Sequence, residues 1–426
     1  MNTVNASIIT IGDELLIGQT IDTNSAFIAQ ELNKIGVWVR RRVAVGDVYD
    51  DIWQALDEER RTSQIIIITG GLGPTADDIT KPLLCKYFGG KMVVNEDVLK
   101  HVKYLFEVVF RRPPPILDVN LKQAEVPDTA TVLHNARGTA PGMWFDVPAS
   151  DDIDKRVFIS LPGVPHEMKG LIMDEVLPRL QQHFTMPFIF HRTIFTSGIG
   201  ESMLADFIKD FEKALPPAIK LAYLPGYGMV KLRLTTSGSN KEKLEKELTG
   251  YFDQLKELVK EFMVTDRDDP MEKVIGQVLK SKGKTMATAE SCTGGYIAQM
   301  ITSVAGSSAY YKGSVISYDN AVKEHILGVK KETIKAAGAV SEETVIEMAK
   351  GAVKELNVDY ALATSGIMGP GGGTEEKPVG MVWVAAANKD RVITKQFNFR
   401  FDRERNIRQT AHSALDFLRK FILTNS

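Results

Sequence analysis

The feature that most constrains this 426-residue sequence is an apolar run that leads directly into a glycine-rich turn. Residues 64–69 (QIIIIT) have four consecutive isoleucines, which predicts a β-strand buried on both faces. Residues 6–11 and 37–45 predict two further strands, and the apolar spacing within 22–35 and 51–60 predicts helices between them. Because strands alternate with helices, the first part of the chain is predicted to be an α/β domain with a largely parallel sheet.

The glycine-rich turn itself, residues 69–81 (TGGLGPTADDITK), is the first candidate site. It joins a central strand to a helix, where backbone amides can hold a phosphate. It matches neither a Walker A loop nor a dinucleotide fingerprint, because the terminal Gly-Lys-Ser/Thr and the glycine spacing are missing. The residues predicted to contact the substrate here are Gly70, Gly71, Gly73 and Thr75.

Four carboxylates follow two of the predicted strands. Asp13 and Glu14 come after the first strand, and Asp77 and Asp78 lie within the glycine-rich turn. Both loops leave the same edge of a parallel sheet, so the four side chains are predicted to form a site for a divalent cation, with Mg²⁺, Mn²⁺ and Co²⁺ all left open. The alternative is that these acids only complement helix dipoles.

A second candidate site lies at residues 288–295 (TAESCTGG). The residues before it, 284–287, predict a short strand, and those after it, 296–301, predict a helix. Such a turn exposes a hydroxyl beside unpaired backbone amides, as a tetrahedral oxyanion requires, and Ser291 is therefore the candidate nucleophile. The alternative is an ordinary N-cap serine. The residues predicted to contact the substrate here are Thr293, Gly294 and Gly295.

A serine nucleophile needs a group that accepts its proton, and two side chains downstream can serve. Tyr318 ends a predicted strand and Lys323 lies at the start of the next helix, where side chains converge at the carboxyl edge of a parallel sheet. A buried lysine with a lowered pKa can act as the base, and a tyrosine can relay the proton. The thiol of Cys292 is the rival nucleophile, although it is expected to be a small buried side chain.

A third glycine-rich loop, residues 365–373 (SGIMGPGGG), follows the strand predicted at 360–364. Its amides can hold a phosphate, or the loop can act as a mobile lid, and the sequence favours neither. The residues predicted to contact the substrate in this loop are Ser365, Gly366, Gly371 and Gly372.

The composition excludes several classes of function. The chain carries 52 basic and 54 acidic residues, a net charge of −2, so neither nucleic acid nor a membrane surface is expected as a partner. Its two cysteines argue against a disulfide framework and fit a reducing compartment, so the protein is expected in the cytoplasm. No apolar run approaches membrane-spanning length.

Three of these stretches together resemble the carboxy-terminal domain of the CinA family: TAESCTGG, SYDNAVKEHILGV and SGIMGPGGGT followed by KPVG. The resemblance implies an amidase that converts nicotinamide mononucleotide to nicotinate mononucleotide and ammonia without a cofactor. It also implies that Ser291 is the nucleophile, Lys323 the base and Tyr318 the proton relay. Ser365 stands where the family usually has threonine, and Arg403 matches an arginine of a late Asp-Arg motif.

The first half, with GDELLIGQTIDTN and TGGLGPTADDITK, is similar to the molybdopterin-binding fold, which in CinA proteins implies a metal-dependent ADP-ribose pyrophosphatase. Between the halves, residues 190–262 predict a small α+β module that resembles a KH-type fold without the Gly-x-x-Gly clamp, so a spacer or dimerisation role is expected rather than RNA binding. The predicted α/β architecture therefore has three domains, at 1–172, 173–264 and 265–426. The family's dimers imply a homodimer.

Two other functions stay open from the sequence. The first domain's fold alone is compatible with molybdenum-cofactor biosynthesis, because a fold does not fix a function. A non-catalytic adaptor linked to competence or recombination is the other alternative, although the near-neutral charge gives no footprint for DNA.

Overall fold

The computed structural model describes residues 4–75, 78–112, 115–149 and 155–424. The chain divides into two compact units, one comprising Met1–Phe190 with Thr236–Glu245 and the other His191–Thr235 with Lys246–Ser426. Among the described residues, no helix has the length and apolar character needed to cross a membrane.

The described residues of the first unit build a six-stranded sheet in the order β2-β1-β3-β8-β7-β6, beside a small β4-β5 ribbon. The pairs β1–β2, β1–β3 and β3–β8 are parallel, whereas β7 pairs antiparallel with both its neighbours. The strands are β1 Asn5–Ile11, β2 Trp38–Val45, β3 Ile65–Thr69, β4 Met92–Val94, β5 Glu125–Pro127, β6 Thr131–Leu133, β7 Gly142–Val147 and β8 Arg156–Leu161.

Strand β3 is buried along its whole length, as its four isoleucines predict. Ile65 and Ile67 face one core cluster, and Ile66 and Ile68 face the other. The helices are α1 Asp13–Leu16, α2 Thr23–Lys34, α3 Tyr49–Glu59, α4 Thr80–Tyr87, α5 Glu96–Tyr104, α6 Asp118–Leu121, α7 Pro165–Leu171 and α8 Leu177–His183. Side chains of α2, α7 and α8 pack in the first of these clusters, and side chains of α3 and α4 pack in the second.

The first core extends beyond the predicted domain boundary at residue 172. A π-helical turn, Ile172–Val176, joins α7 to α8, so helical structure runs on from Pro165 to His183. Ile172, Val176 and Leu180 are buried in the same cluster as β3. Apolar side chains placed on that sheet make the second half of this helix part of the first domain.

The connecting module has the predicted small α+β architecture, and its sheet has the strand order β10-β11-β9-β12. A turn that contains Tyr227 joins β10 to β11. The elements are β9 Phe188–Ser197, α9 Glu201–Ala214, β10 Ile219–Gly226, β11 Met229–Gly238, α10 Lys241–Leu258 and β12 Met263–Thr265.

The carboxy-terminal part of the second unit contains, in its described residues, a five-stranded sheet in the order β14-β13-β15-β16-β17. Strand β13 is central and pairs parallel with β14 and β15, while β16 and β17 add antiparallel. The strands are β13 Met286–Glu290, β14 Tyr311–Ile316, β15 Tyr360–Gly366, β16 Met381–Ala387 and β17 Val392–Asn398.

Helices cover both faces of this second sheet. Side chains of α11, α12 and α16 form the core on one face, and side chains of α13 and α15 form the core on the other. The helices are α11 Met271–Ser281, α12 Tyr296–Thr302, α13 Asn320–Leu327, α14 Lys331–Ala337, α15 Glu342–Glu355 and α16 Arg403–Thr424.

Strand β13 is longer than the sequence predicts. The predicted strand ends at residue 287, but the observed one continues through Glu290, and Thr288, Ala289 and Glu290 are fully buried. Both faces of β13 are covered, so small and polar residues are retained in the strand as long as their polar atoms find partners.

Candidate functional site

The ends of three neighbouring strands converge at the carboxyl edge of the second sheet. Glu290 of β13 pairs with Ile316 of β14 on one side and with Thr364 of β15 on the other. The ladder continues past the strand ends, because the Ser317 amide donates to the Glu290 carbonyl at 2.8 Å and the Ser291 amide donates to the Thr364 carbonyl at 3.0 Å. The structure thereby brings the predicted nucleophile beside the segments that carry Tyr318 and Ser365.

The amine of Lys323 is buried at this edge. Lys323 lies on α13, is 1% exposed, and donates to the carbonyl oxygens of Ser317 at 2.7 Å and Tyr318 at 3.2 Å. Burial lowers the pKa of this amine, while the nearby Asp319 carboxylate and the Cys292 side chain oppose the shift. A lysine held in this way can be neutral at a lower pH than a solvated lysine.

The two carbonyl contacts can be made by the charged and by the neutral amine. A neutral amine has two N–H groups and one lone pair, and both N–H groups can be used by the carbonyls of Ser317 and Tyr318. The lone pair then remains available for a proton. The backbone therefore fixes the orientation of the Lys323 amine, and in its neutral form the amine can accept a proton.

The thiol of Cys292 has the opposite character. Its side chain is 6% exposed and belongs to the apolar core on the α12 face. Burial raises the pKa of the Cys292 thiol to about 12, which keeps it protonated at neutral pH. Since the thiolate is the reactive form, Cys292 is a poor nucleophile, whereas Ser291 is half-buried at the strand end.

Most backbone donors that the sequence assigns to the oxyanion are already used inside the protein. The Gly295 amide donates to the Glu290 carboxylate at 3.1 Å, and the Gly294 amide donates to the Ser291 carbonyl at 3.2 Å. The Thr293 hydroxyl is buried between Glu290 at 2.8 Å and the Thr364 hydroxyl at 2.9 Å. These contacts assign the Gly295 amide and the Thr293 hydroxyl to support of the turn instead of to the predicted substrate contact, because the buried carboxylate needs the donors.

Arg403 connects Tyr318 to the third glycine-rich loop. Its guanidinium donates to the Gly369 carbonyl at 2.7 Å and to the Tyr318 hydroxyl at 3.3 Å. Tyr318 is 66% exposed, so this contact lies at the open edge of the site. Tyr318, which follows β14, thus meets the third glycine-rich loop and the start of α16.

The third glycine-rich loop is anchored at both ends and open at its tip. The Ser365 hydroxyl donates to the Ala339 carbonyl at 2.7 Å, and the Gly380 amide donates to the Ile367 carbonyl at 2.7 Å. Gly366 begins the loop at the end of β15, whereas Gly371 and Gly372 lie exposed at the tip. The exposed tip is compatible with both roles predicted from the sequence, a phosphate cradle and a lid.

Donors of the glycine-rich turn in the first unit bind a carboxylate of the same turn. Asp78 accepts the amide of Gly73 at 2.7 Å on one oxygen, and the amide and hydroxyl of Thr75 at 2.8 and 2.5 Å on the other. The Gly70 amide donates to the Leu161 carbonyl at 3.1 Å. Gly71 approaches Thr80 so closely that a Cβ would lie 2.1 Å from its hydroxyl, so the turn requires glycine there.

The structure describes three of the four predicted metal ligands, Asp13, Glu14 and Asp78. Asp13 and Asp47 each accept the other's backbone amide at 3.3 Å, and the Glu14 carboxylate folds over Gly12. Asp77 lies outside the described residues. No three His, Cys, Asp or Glu side chains among the described residues are grouped so that they could hold a metal ion.

Comparisons with known proteins agree along the whole chain. Residues 7–182 match the model of a probable molybdopterin binding domain, residues 191–264 the damage-inducible protein CinA KH domain, and residues 268–422 the CinA C-terminal domain. A CinA-like protein of Cytophaga hutchinsonii is 49% identical over 421 residues, covering 99% of both chains. The chain belongs to the CinA family. The family membership and the mixed α/β class predicted from the sequence are confirmed.

Two further proteins of the CinA type are similar to this chain. A CinA-like protein of Flavobacterium psychrophilum is 45% identical over 423 residues, covering 99% of each chain. The crystal structure of the competence/damage inducible protein CihA from Agrobacterium tumefaciens is 38% identical, covers 35% of this chain and 92% of its own, and has a TM-score of 0.35.

Three buried polar residues of this CinA chain were not found from the sequence. Asn406 on α16 donates to the carbonyls of Met368 at 3.1 Å and Phe401 at 2.9 Å, which fixes the start of the glycine-rich loop. Lys81 donates to two backbone carbonyls, and burial lowers its pKa to about 8. Lys81 ends the motif at residues 69–81, but its partners lie 42 and 44 residues further along the chain, and Asn406 belongs to no local motif, so the sequence does not mark either contact.

The third missed residue, Glu290, does have a signal, because it is an acid in the strand-to-helix turn motif, six residues before α12 begins, where it can accept the exposed amides of the first helical turn. Its carboxylate is fully buried. Beyond Gly295, it accepts the amides of Ile297 at 3.0 Å and Ala298 at 2.8 Å. Glu290 therefore holds the first turn of α12, and with it the Ser291 turn, against the sheet.

Replacing Glu290 by alanine should destabilise the second unit by at least about 3 kcal/mol, because several buried donors lose a charged acceptor at once. Urea unfolding followed by tryptophan fluorescence and circular dichroism measures this change. Glu343→Gln, at an exposed position in the first turn of α15, is the matched control and should shift the midpoint little. An unchanged midpoint for Glu290→Ala would show that the Ser291 turn does not depend on this carboxylate.

Proposed function

We propose that the carboxy-terminal domain hydrolyses the amide of nicotinamide mononucleotide to nicotinate mononucleotide and ammonia. The observation that carries this proposal is the buried Lys323 amine, which is oriented by two carbonyls at the strand edge where Ser291 lies. Membership of the CinA family supports it. An amide is a poor electrophile, so a serine that attacks it requires a base of this kind.

In the proposed reaction, Ser291 attacks the amide carbon while its proton passes to the lone pair of Lys323, with Tyr318 as the relay that the family resemblance implies. Collapse of the tetrahedral intermediate breaks the C–N bond, and the same proton returns to the leaving nitrogen, giving ammonia. Water then attacks the acyl-enzyme and restores the Ser291 hydroxyl. Arg403 and the tip around Gly371 offer positive charge and amides at the open edge for the phosphate of the nucleotide.

The test of this function is a product assay on the purified wild-type chain. Release of ammonia from nicotinamide mononucleotide, with nicotinate mononucleotide identified by mass spectrometry, is the expected result. Nicotinamide riboside, which lacks the phosphate, should be a much poorer substrate through a raised KM. Absence of ammonia release from the mononucleotide would contradict the proposal.

We further propose that the first unit hydrolyses the pyrophosphate of ADP-ribose to AMP and ribose 5-phosphate. The glycine-rich turn at the carboxyl end of β3 supports this, as does a small cleft of about 120 Å³ lined by Glu14, Asn24 and Thr69. The Asn24 side-chain oxygen is buried and has no hydrogen-bond partner among the described residues. A divalent ion would neutralise the pyrophosphate charge. Because the described residues form no metal cluster, no chemical step is assigned to it.

Replacing Asp78 by asparagine should lower ADP-ribose hydrolysis about 100-fold, because asparagine has one acceptor oxygen instead of two. Either the Gly73 amide or the Thr75 donors then lose their acceptor, and the turn moves. Formation of AMP, followed by chromatography with Mg²⁺ or with EDTA, measures the loss. The control is Asp97→Asn, an exposed acid on α5. Equal rates for Asp78→Asn and wild type would show that the glycine-rich turn is not part of the proposed site.

The match to a probable molybdopterin binding domain favours one alternative for the first unit. A bound pterin in the purified protein, together with absence of ADP-ribose hydrolysis, would support molybdenum-cofactor biosynthesis instead. Loss of both hydrolytic activities with retention of a specific protein partner would favour the adaptor.

A further inference from the structure

The connecting module shares a hydrophobic core with the last helix of the chain. Phe195 of β9 and Met229 of β11 are buried in the same cluster as Leu415 of α16. The hydroxyl of Ser197 donates to the Asp416 carboxylate at 2.7 Å, and both side chains are buried. A flexible spacer buries few side chains against its neighbours. The module is therefore packed on α16 as part of the second unit.

The turn between β10 and β11 reaches the first half of this helix. The hydroxyl of Tyr227 accepts the guanidinium of Arg408 at 3.3 Å, and its ring stacks on His412, with 5.5 Å between the ring centroids and 8° between the planes. Gly228 follows with φ of 69°, and a Cβ there would lie 2.3 Å from the side-chain nitrogen of Gln409. The turn thus lies directly against α16.

The beginning of the same helix holds the edge of the candidate amidase site. Arg403 donates to the Gly369 carbonyl at 2.7 Å and to the Tyr318 hydroxyl at 3.3 Å. Asn406 is fully buried and donates to the carbonyl of Met368, the residue before Gly369, at 3.1 Å. Two side chains of α16 therefore bind consecutive carbonyls of the third glycine-rich loop.

The two sets of contacts are close together along the helix. Arg408 follows Arg403 by five positions, which is about 7.5 Å along the axis of an α-helix. A helix of this length moves as a rigid element, so a displacement at Tyr227 is transmitted to Arg403. The 3.3 Å contact between Arg403 and Tyr318 is already long for a hydrogen bond, and a small movement of the helix breaks it.

We infer that Tyr227 is a positioning residue for the amidase. It holds α16 in place, so that Arg403 lies where the phosphate of the nucleotide is proposed to bind. This inference rests on the proposed amidase function. Tyr227 acts through Arg408 and the helix, without contact to the reacting atoms. The connecting module thereby contributes to recognition of the nucleotide by the carboxy-terminal domain.

The decisive experiment compares Tyr227→Ala with Tyr227→Phe in the full chain. The alanine variant loses both the ring on His412 and the acceptor for Arg408. Its kcat/KM for nicotinamide mononucleotide should fall about 10-fold through a raised KM, the size expected when one hydrogen bond to a charged group is weakened. For nicotinamide riboside, which has no phosphate, kcat/KM should change less than about twofold. The phenylalanine variant keeps the ring and should recover most of the loss.

Tyr223 supplies the matched control. It also lies on β10, but its hydroxyl donates to Glu212 of α9 at 2.8 Å. Tyr223→Ala should leave the preference for the mononucleotide over the riboside unchanged. A smaller folded fraction lowers activity on both substrates by the same factor, so the ratio of the two kcat/KM values separates positioning from a loss of stability.

A second readout needs no turnover. Hydrogen exchange followed by mass spectrometry should show faster exchange in peptides from residues 366–373 of Tyr227→Ala than of wild type, with exchange in β13 unchanged. If the wild type releases no ammonia but this difference is seen, the positioning of α16 by Tyr227 stands and the proposed substrate is wrong.

Two outcomes would overturn the inference. A Tyr227→Ala variant with the wild-type substrate preference and the wild-type exchange of residues 366–373 shows that Tyr227 positions nothing at the site. An alanine variant with a lower melting temperature and equal losses on both substrates shows that the turn only stabilises the fold.

Discussion

Ser291→Ala should abolish ammonia release from nicotinamide mononucleotide, with kcat/KM falling by about 10³-fold or more, because the oxygen that forms the acyl-enzyme in the proposed reaction is removed. The fold should be retained, since alanine fits the space of serine and the Ser291 amide still donates to the Thr364 carbonyl. Coupled ammonia detection and intact-protein mass spectrometry, which would show the acyl-enzyme only in the wild type, are the measurements.

The adjacent cysteine supplies the matched control for this variant. Cys292→Ala should retain activity within about an order of magnitude, because the buried thiol, with its pKa raised to about 12, is protonated at working pH. If Cys292→Ala were inactive and Ser291→Ala active, the two assignments would have to be exchanged.

Lys323→Met is expected to have an effect of similar size, lowering kcat about 10²- to 10⁴-fold, the range for loss of a general base. Methionine keeps the length of the side chain but leaves the carbonyls of Ser317 and Tyr318 without their donor. Lys331→Met, on the exposed side of α14, is the control.

The pH profile tests the protonation state of Lys323 directly. Burial lowers the pKa of the amine, and only the neutral amine can accept a proton. Wild-type kcat/KM should therefore rise with pH as Lys323 loses its proton, with a midpoint below the usual range for lysine. The residual activity of Lys323→Met should lack this rise. An acid limb unchanged in the variant would show that another group titrates.

The sequence is a good guide wherever a pattern is local. Serine and aspartate favour the position before a helix, and both are found there: the Ser341 hydroxyl accepts the Thr344 amide before α15, and the Asp22 carboxylate accepts the Ser25 amide before α2. Strand β3 is buried on both faces because its isoleucines leave no polar face. Gly71 lies in the left-handed region, with φ of 62°, at a turn that only glycine fits easily.

Prediction is weaker where a residue's partner comes from another element. The sequence predicts too early an end for β13, because Thr288 and Glu290 are not typical strand residues. Their polar atoms are satisfied only by the hydroxyls and amides that surround them in the folded protein. The sequence likewise does not show the partner of the Gly295 amide. It predicts a substrate contact for Gly295, whereas the Gly295 amide donates to the Glu290 carboxylate.

The sequence alone determined the α/β class, the family and the identity of the residues proposed for chemistry, since these depend on periodicity and short motifs. The tertiary structure decided which of them meet, which backbone donors remain available, and that the Lys323 amine is buried against the backbone carbonyl of Ser317. Such properties depend on strand register and on the exclusion of water, and both arise only when segments far apart in the chain pack together.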